Sequence, residues 1–124
     1  MARISQSHYR KMKNAYRHDV AIYLAKAAMD ERLITYSELS GAFGGSPRGW
    51  GNTLGGIAIR CHEASLPLLP VIVVNAGTSQ PSIDAVLYDD LGLKDPQAIT
   101  AQQQLCFKYD WQNSALISPK RQTP

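Results

Sequence analysis

A chain of 124 residues, 44% hydrophobic and 19% charged, has the length and composition of one globular domain, which argues against both a disordered chain and a two-domain protein. At this size a single core can form without disulfide or metal staples. The formal charge of +3 is only mildly basic, so the placement of the charges matters more than their sum.

The opening residues, Met1-Ala2-Arg3-Ile4-Ser5-Gln6-Ser7-His8, are polar where a secretory signal carries an apolar stretch. The longest apolar run, residues 66–74, is broken by Pro67 and Pro70, so a cytoplasmic protein with no membrane span is expected. Arg3, Arg10, Lys11, Lys13 and Arg17, with His8 and His18, precede the first acid, Asp19, whereas Asp84, Asp89, Asp90 and Asp95 gather later. The basic run reads either as a phosphate-facing surface or as the solvated face of a helix.

Residues 7–32 contain no proline or glycine. Tyr9, Met12, Tyr16, Val20, Tyr23, Leu24, Ala27 and Ala28 recur there at helical spacing, which predicts one long amphipathic helix packed on the domain. Thr35-Tyr36-Ser37-Glu38 has the form of a capping box and opens a short second helix that stops at Gly44-Gly45. Ser46-Pro47 opens a third helix to about residue 64, with Trp50, Leu54, Ile57, Ala58 and Cys61 on one face. Gly49, Gly51, Gly55 and Gly56 weaken that helix intrinsically, so something packs closely against it: a neighbouring helix, a ligand or a sugar-phosphate wall.

Leu69-Pro70-Val71-Ile72-Val73-Val74-Asn75 reads as a strand covered on both faces, followed by the turn Asn75-Ala76-Gly77-Thr78. Pro81-Ser82 starts a helix to about residue 90, and Asp95-Pro96 starts a last one to about residue 111, with Ile99, Gln103, Cys106, Phe107 and Asp110 at helical spacing.

Catalytic signals are weak. Cys61 and Cys106 are the only cysteines and read as reduced core residues. Cys61, His62 and Glu63 are adjacent, which sends them to different faces of a helix, unlike the i, i+4 spacing of paired metal ligands. Asp84, Asp89 and Asp90 read as a solvated face, and no metal or other cofactor is expected.

The order of long helix, short helix, glycine turn, third helix, strand and turn is that of a winged helix-turn-helix. Within it, Ile34-Thr35-Tyr36-Ser37-Glu38-Leu39, Arg48-Gly49-Trp50-Gly51-Asn52-Thr53-Leu54 and Leu69-Pro70-Val71-Ile72-Val73-Val74-Asn75-Ala76-Gly77 resemble the DNA-binding domain of the O6-alkylguanine-DNA alkyltransferases and alkyltransferase-like proteins. The likeness runs over residues 33–81, under half the chain. It implies that Tyr36 contacts a phosphate beside the target nucleotide, that Arg48 fills the gap left by a flipped base, and that Gly49, Gly51 and Gly55 let the helix approach the groove wall. The family's Pro-Cys-His-Arg is replaced by Pro70-Val71-Ile72-Val73, so the resemblance does not extend to alkyl transfer, which needs a thiolate. Arg60-Cys61-His62-Glu63-Ala64-Ser65-Leu66-Pro67-Leu68, with Tyr109-Asp110-Trp111, is also similar to small bacterial and mobile-element proteins built on this domain.

The expectation is therefore a mostly α protein with a small β component, a winged helix-turn-helix with flanking helices. Residues 1–113 would form one domain, with the long helix at 7–32, the helix-turn-helix and wing at 33–80 and C-terminal helices at 81–113; residues 114–124 would be a loosely held tail. The expected function is non-catalytic binding of duplex DNA, regulatory or associated with a phage or other mobile element. Lys11, Lys13 and Arg17 would neutralise phosphates, Tyr36 and Ser37 would set the register, and Arg48, Asn52 and Thr53 would lie at the groove. Trp50 reads as core more than as an intercalating wedge. The alternative is a protein-binding adaptor or inhibitor, for example a phage anti-defence protein, with the C-terminal half holding a partner or a second copy through Tyr88, Phe107, Tyr109 and Trp111.

Overall fold

The computed structural model describes residues 10–11, 13–45, 50–78, 80, 93, 95–114 and 116–117. They form four α-helices, α1 (His18–Met29), α2 (Tyr36–Phe43), α3 (Gly51–Glu63) and α4 (Pro96–Lys108), and two short strands, β1 (Ile34–Thr35) and β2 (Val73–Val74). The architecture is mostly helical with a small sheet. The helix expected over 81–90 falls outside the described residues.

The single long helix expected over 7–32 is divided. Residues 10, 11, 13 and 14 are helical, and α1 begins anew at His18 after Arg17 adopts an extended conformation (φ −126°, ψ 120°). In a continuous helix the Lys13 carbonyl would accept from the amide four residues on. Here the Tyr16 amide donates to it (3.4 Å), as does Nη2 of Arg60 from α3 (3.4 Å). A side chain distant in sequence thus takes part of the helix's hydrogen bonding, which local periodicity cannot report.

From α1 onward the apolar stripe behaves as its spacing requires, with Val20, Leu24, Ala27 and Ala28 buried. The helix stops at Met29 without glycine: Glu31 turns left-handed (φ 55°), its amide donates to Ala28 O (2.9 Å), and the Arg32 amide donates to Ala27 O (2.9 Å). This is a Schellman motif. The end of α3 repeats it, with Ser65 left-handed (φ 60°), its amide donating to His62 O (3.1 Å) and that of Leu66 to Cys61 O (2.8 Å).

The capping box forms as expected. The Glu38 amide donates to Thr35 Oγ1 (3.1 Å) and the Thr35 amide to Glu38 Oε1 (3.3 Å), starting α2 at Tyr36. The break follows at Gly44 and Gly45, whose φ values of 88° and 82° favour glycine.

The segment expected as a strand over 69–75 is mostly a 3₁₀ turn, Leu69–Ile72, leaving Val73 and Val74 as strand. Pro70 fixes φ and supplies no amide, which suits the first residues of a turn and not the interior of a ladder. Both faces are covered, since 68–74 are all buried. β2 pairs with β1 in parallel, Ile34 opposite Val73 and Thr35 opposite Val74. Among the described residues this is the whole sheet; an antiparallel hairpin wing is not part of it.

α4 starts as expected, with Asp95 accepting from the Ala98 amide (2.8 Å), but ends at Lys108, earlier than the spacing suggested. Trp111 then sits fully buried in a 3₁₀ turn, its indole donating to Cys106 O (2.8 Å). Within the segment expected as a loose tail, Ser114 and Leu116 are both buried, and Ser114 Oγ donates to Trp111 O (2.7 Å).

Two substitutions test these local arguments by urea unfolding. Thr35→Ala should cost about 1 kcal/mol by removing the cap, while Thr35→Ser should retain most of the stability. Ser65→Gly should stabilise by roughly 0.5–1 kcal/mol, because it relieves a left-handed side-chain-bearing residue just past the helix end.

Candidate nucleic-acid interface

The start of α3 is fixed by aromatic packing. The Trp50 indole donates to Ser40 Oγ of α2 (2.9 Å), and its ring meets Phe43 edge-on (centroids 6.1 Å apart), which in turn meets Tyr23 of α1 (5.3 Å). Trp50 is buried and belongs to the core, as its spacing suggested. Arg17 covers this cluster, its guanidinium 5.4 Å from the Phe43 ring centre and 5.9 Å from that of Trp50. These contacts hold α1, α2 and the first turn of α3 together at one edge.

Ser37 and Asn52 are exposed and Thr53 is half-buried, so the first turns of α2 and α3 carry polar groups outward. Tyr36 is buried, only 9% exposed, which leaves little of it for a phosphate. Beyond its first turn α3 is covered, residues 54–59 being buried without interruption. Gly55 and Gly56 therefore serve packing inside the protein, and the expectation that Gly55 faces a groove wall is corrected. Arg48 and Gly49 lie outside the described residues.

The basic residues expected to act together are separated. Lys11 is exposed on the helical stretch before α1. Lys13 is drawn to the far end of α3, where Nζ lies 2.7 Å from Glu63 Oε1. Asn52 and Glu63 are roughly 16 Å apart along α3 at a rise of ~1.5 Å per residue, so Lys13 stands well away from Asn52 and Thr53. Arg17 stays at the near end but forms a two-point contact with Asp19, Nε to Oδ1 at 3.2 Å and Nη2 to Oδ2 at 2.8 Å. That hydrogen bonding holds the Asp19 carboxyl below its ordinary range.

A group unforeseen in the sequence occupies the far end. Arg60 stacks on Tyr16 (4.3 Å to the ring centre), and the Tyr16 hydroxyl lies 2.9 Å from His18 Nδ1. In the sequence Arg60 is legible only as a charge late in the third helix. Its partner Tyr16 falls on what reads as a continuous apolar stripe.

No family model matches the chain, and neither does a curated protein or a solved structure. Among the described residues no helix is long and apolar enough to cross a membrane, and no group of three or more His, Cys, Asp or Glu could hold a metal ion.

Both cysteines are free and buried. Desolvation pushes the Cys61 thiol up to about 12. Cys106 is also raised, first by desolvation and then by the nearness of Cys61. The folded form holds both thiols neutral, while the unfolded chain ionises them near the ordinary value of 9.0. Their contribution to stability is therefore complete below pH 9.0 and lost as pH rises toward 12. The unfolding free energy should fall above pH 9 by up to ~1.4 kcal/mol per thiol per pH unit, and Cys61→Ala should flatten its share of that slope. Ellman's reagent at pH 8 should label both cysteines in urea and neither in the native protein.

Proposed function

We propose that α2 and α3, joined through the glycine break, form a helix-turn-helix of the winged class that binds duplex DNA without catalysis. The observation that carries this reading is the edge built by Arg17, Phe43 and Trp50. There the polar first turn of α3, with Asn52 exposed, is held against the last turns of α2 through Ser40 and Phe43, beside a cation. Recognition helices contact bases through their N-terminal residues, and the first turn is the part of α3 left open before the buried stretch 54–59. The resemblance of 33–81 to the alkyltransferase-like DNA-binding domain supports the same orientation, with Arg48 at the groove.

In this mechanism Arg17 and Lys11 neutralise phosphates, Ser37 fixes the register, and Asn52 and Thr53 meet base edges. Arg17 must share its guanidinium between Asp19 and a phosphate, which limits its contribution. A non-catalytic role agrees with the desolvated thiols, since a thiolate nucleophile needs a lowered pKa and access to substrate. A regulator of a mobile element would use such a domain in this way.

One observation favours a second reading, a protein-binding adaptor. Lys13, Arg17 and Arg32 are engaged with Glu63, Asp19 and Glu38, while Ile22, Met29 and Leu105 are exposed. The two readings part on salt dependence. Fluorescence anisotropy with a mixed duplex should show log affinity falling linearly with log salt, with a slope of about −0.9 per phosphate contacted. Arg48→Ala combined with Arg17→Gln should weaken binding by at least tenfold and make the slope shallower by about one, the share of the Arg17 phosphate contact. Absence of binding at low salt would overturn the DNA reading and favour the adaptor.

A further inference from the structure

At the far end of α3 lies an open cavity of about 360 Å³, lined by Lys13, Tyr16, His18, Arg60, Glu63, Ala64 and Leu116. It is separate from the edge at Arg17 and Trp50, and its chemistry does not depend on whether α3 binds DNA. Its size is at the small end of ligand sites. Its walls divide by chemistry, with Tyr16, Ala64 and Leu116 providing apolar surface and Lys13, Arg60, His18 and Glu63 providing polar groups.

The polar groups are pre-arranged. Arg60 is positioned by the Tyr16 ring and by the Lys13 carbonyl, a contact that uses one of its five N–H donors and leaves others for a ligand. The Lys13 ammonium has three donors, so it can hold Glu63 and accept a second anionic partner. The Tyr16 hydroxyl engages His18 Nδ1; when Tyr16 donates that bond, or when the ring is protonated, Nε2 carries a hydrogen and is a donor.

The charge balance narrows the ligand further. Among the described residues the cations of Lys13 and Arg60 outnumber the carboxylate of Glu63 by one, so these side chains favour one negative charge. Glu63, 2.7 Å from the Lys13 ammonium, opposes a second. We propose that this cavity binds a small organic monocarboxylate, its carboxylate held by Arg60, Lys13 and His18 and its apolar body set against Tyr16, Ala64 and Leu116.

The test is calorimetric titration of the full chain with benzoate, benzamide and phenyl phosphate, which share a ring and differ in charge. Benzoate should bind saturably and benzamide at least tenfold more weakly, as loss of charge-assisted hydrogen bonds requires. Arg60→Gln should weaken benzoate by about tenfold. Glu63→Gln should tighten benzoate several-fold and improve phenyl phosphate more, because it removes the opposing charge while keeping every cation. That second variant decides the matter even where Arg60→Gln disturbs the segment before α1. Equal binding of benzoate and benzamide, weaker benzoate binding in Glu63→Gln, or no saturable benzoate binding would each overturn the proposal. Loss of duplex affinity in Arg60→Gln without any benzoate binding would assign these cations to the nucleic acid instead, and would overturn it too.

Discussion

The structure depends on burying the short segment 68–74, whose main chain must find hydrogen bonds with almost no water to supply them. Its 3₁₀ turn packs against α1, α3 and α4, so the three longest helices meet on it. Side chains of α4 satisfy part of its polar demand: the Leu68 amide donates to Gln102 Oε1 (2.6 Å), and Gln103 Nε2 donates to Val71 O (2.9 Å). The parallel pairing with β1 satisfies more. Among the described residues Gln103 and Ser114 are the buried polar ones, and the burial of Gln103 follows from this task.

That arrangement also shapes α3. Because the helix must cover the central segment, residues 54–59 are consumed by the core and solvent reaches mainly its two ends. The two ends have different characters. The entry carries Asn52 beside the Arg17, Phe43 and Trp50 cluster, while the exit carries Arg60, His62 and Glu63 beside Lys13 and Tyr16. One helix thereby presents two chemically distinct surfaces, and the break at Tyr16 and Arg17 distributes neighbouring basic residues between them.

Much of the fold was legible where a local rule was sufficient. Thr35 and Glu38 announced the start of α2, Asp95 and Pro96 that of α4, and the stripe from Val20 to Ala28 the inward face of α1. Asn75 and Gly77 marked a real turn. The helix ends were harder, since both Schellman motifs use Glu31 and Ser65 where glycine would have been the signal. Of the candidate DNA contacts, Ser37 and Asn52 are exposed, whereas Tyr36 is buried and Lys13 is committed to Glu63.

The sequence alone determined a mostly helical chain, its capped helix starts, its doubly covered apolar segment and its two buried cysteines. These features arise from periodicity, capping chemistry and hydrophobicity, which act over a few residues. Only the tertiary structure decided that the N-terminal helix breaks, that β1 and β2 pair in parallel, and that the basic residues divide between two ends of α3. Each of those depends on partners far apart in the chain, Arg60 with Lys13 and Tyr16 above all, and no local pattern encodes which distant side chain will arrive.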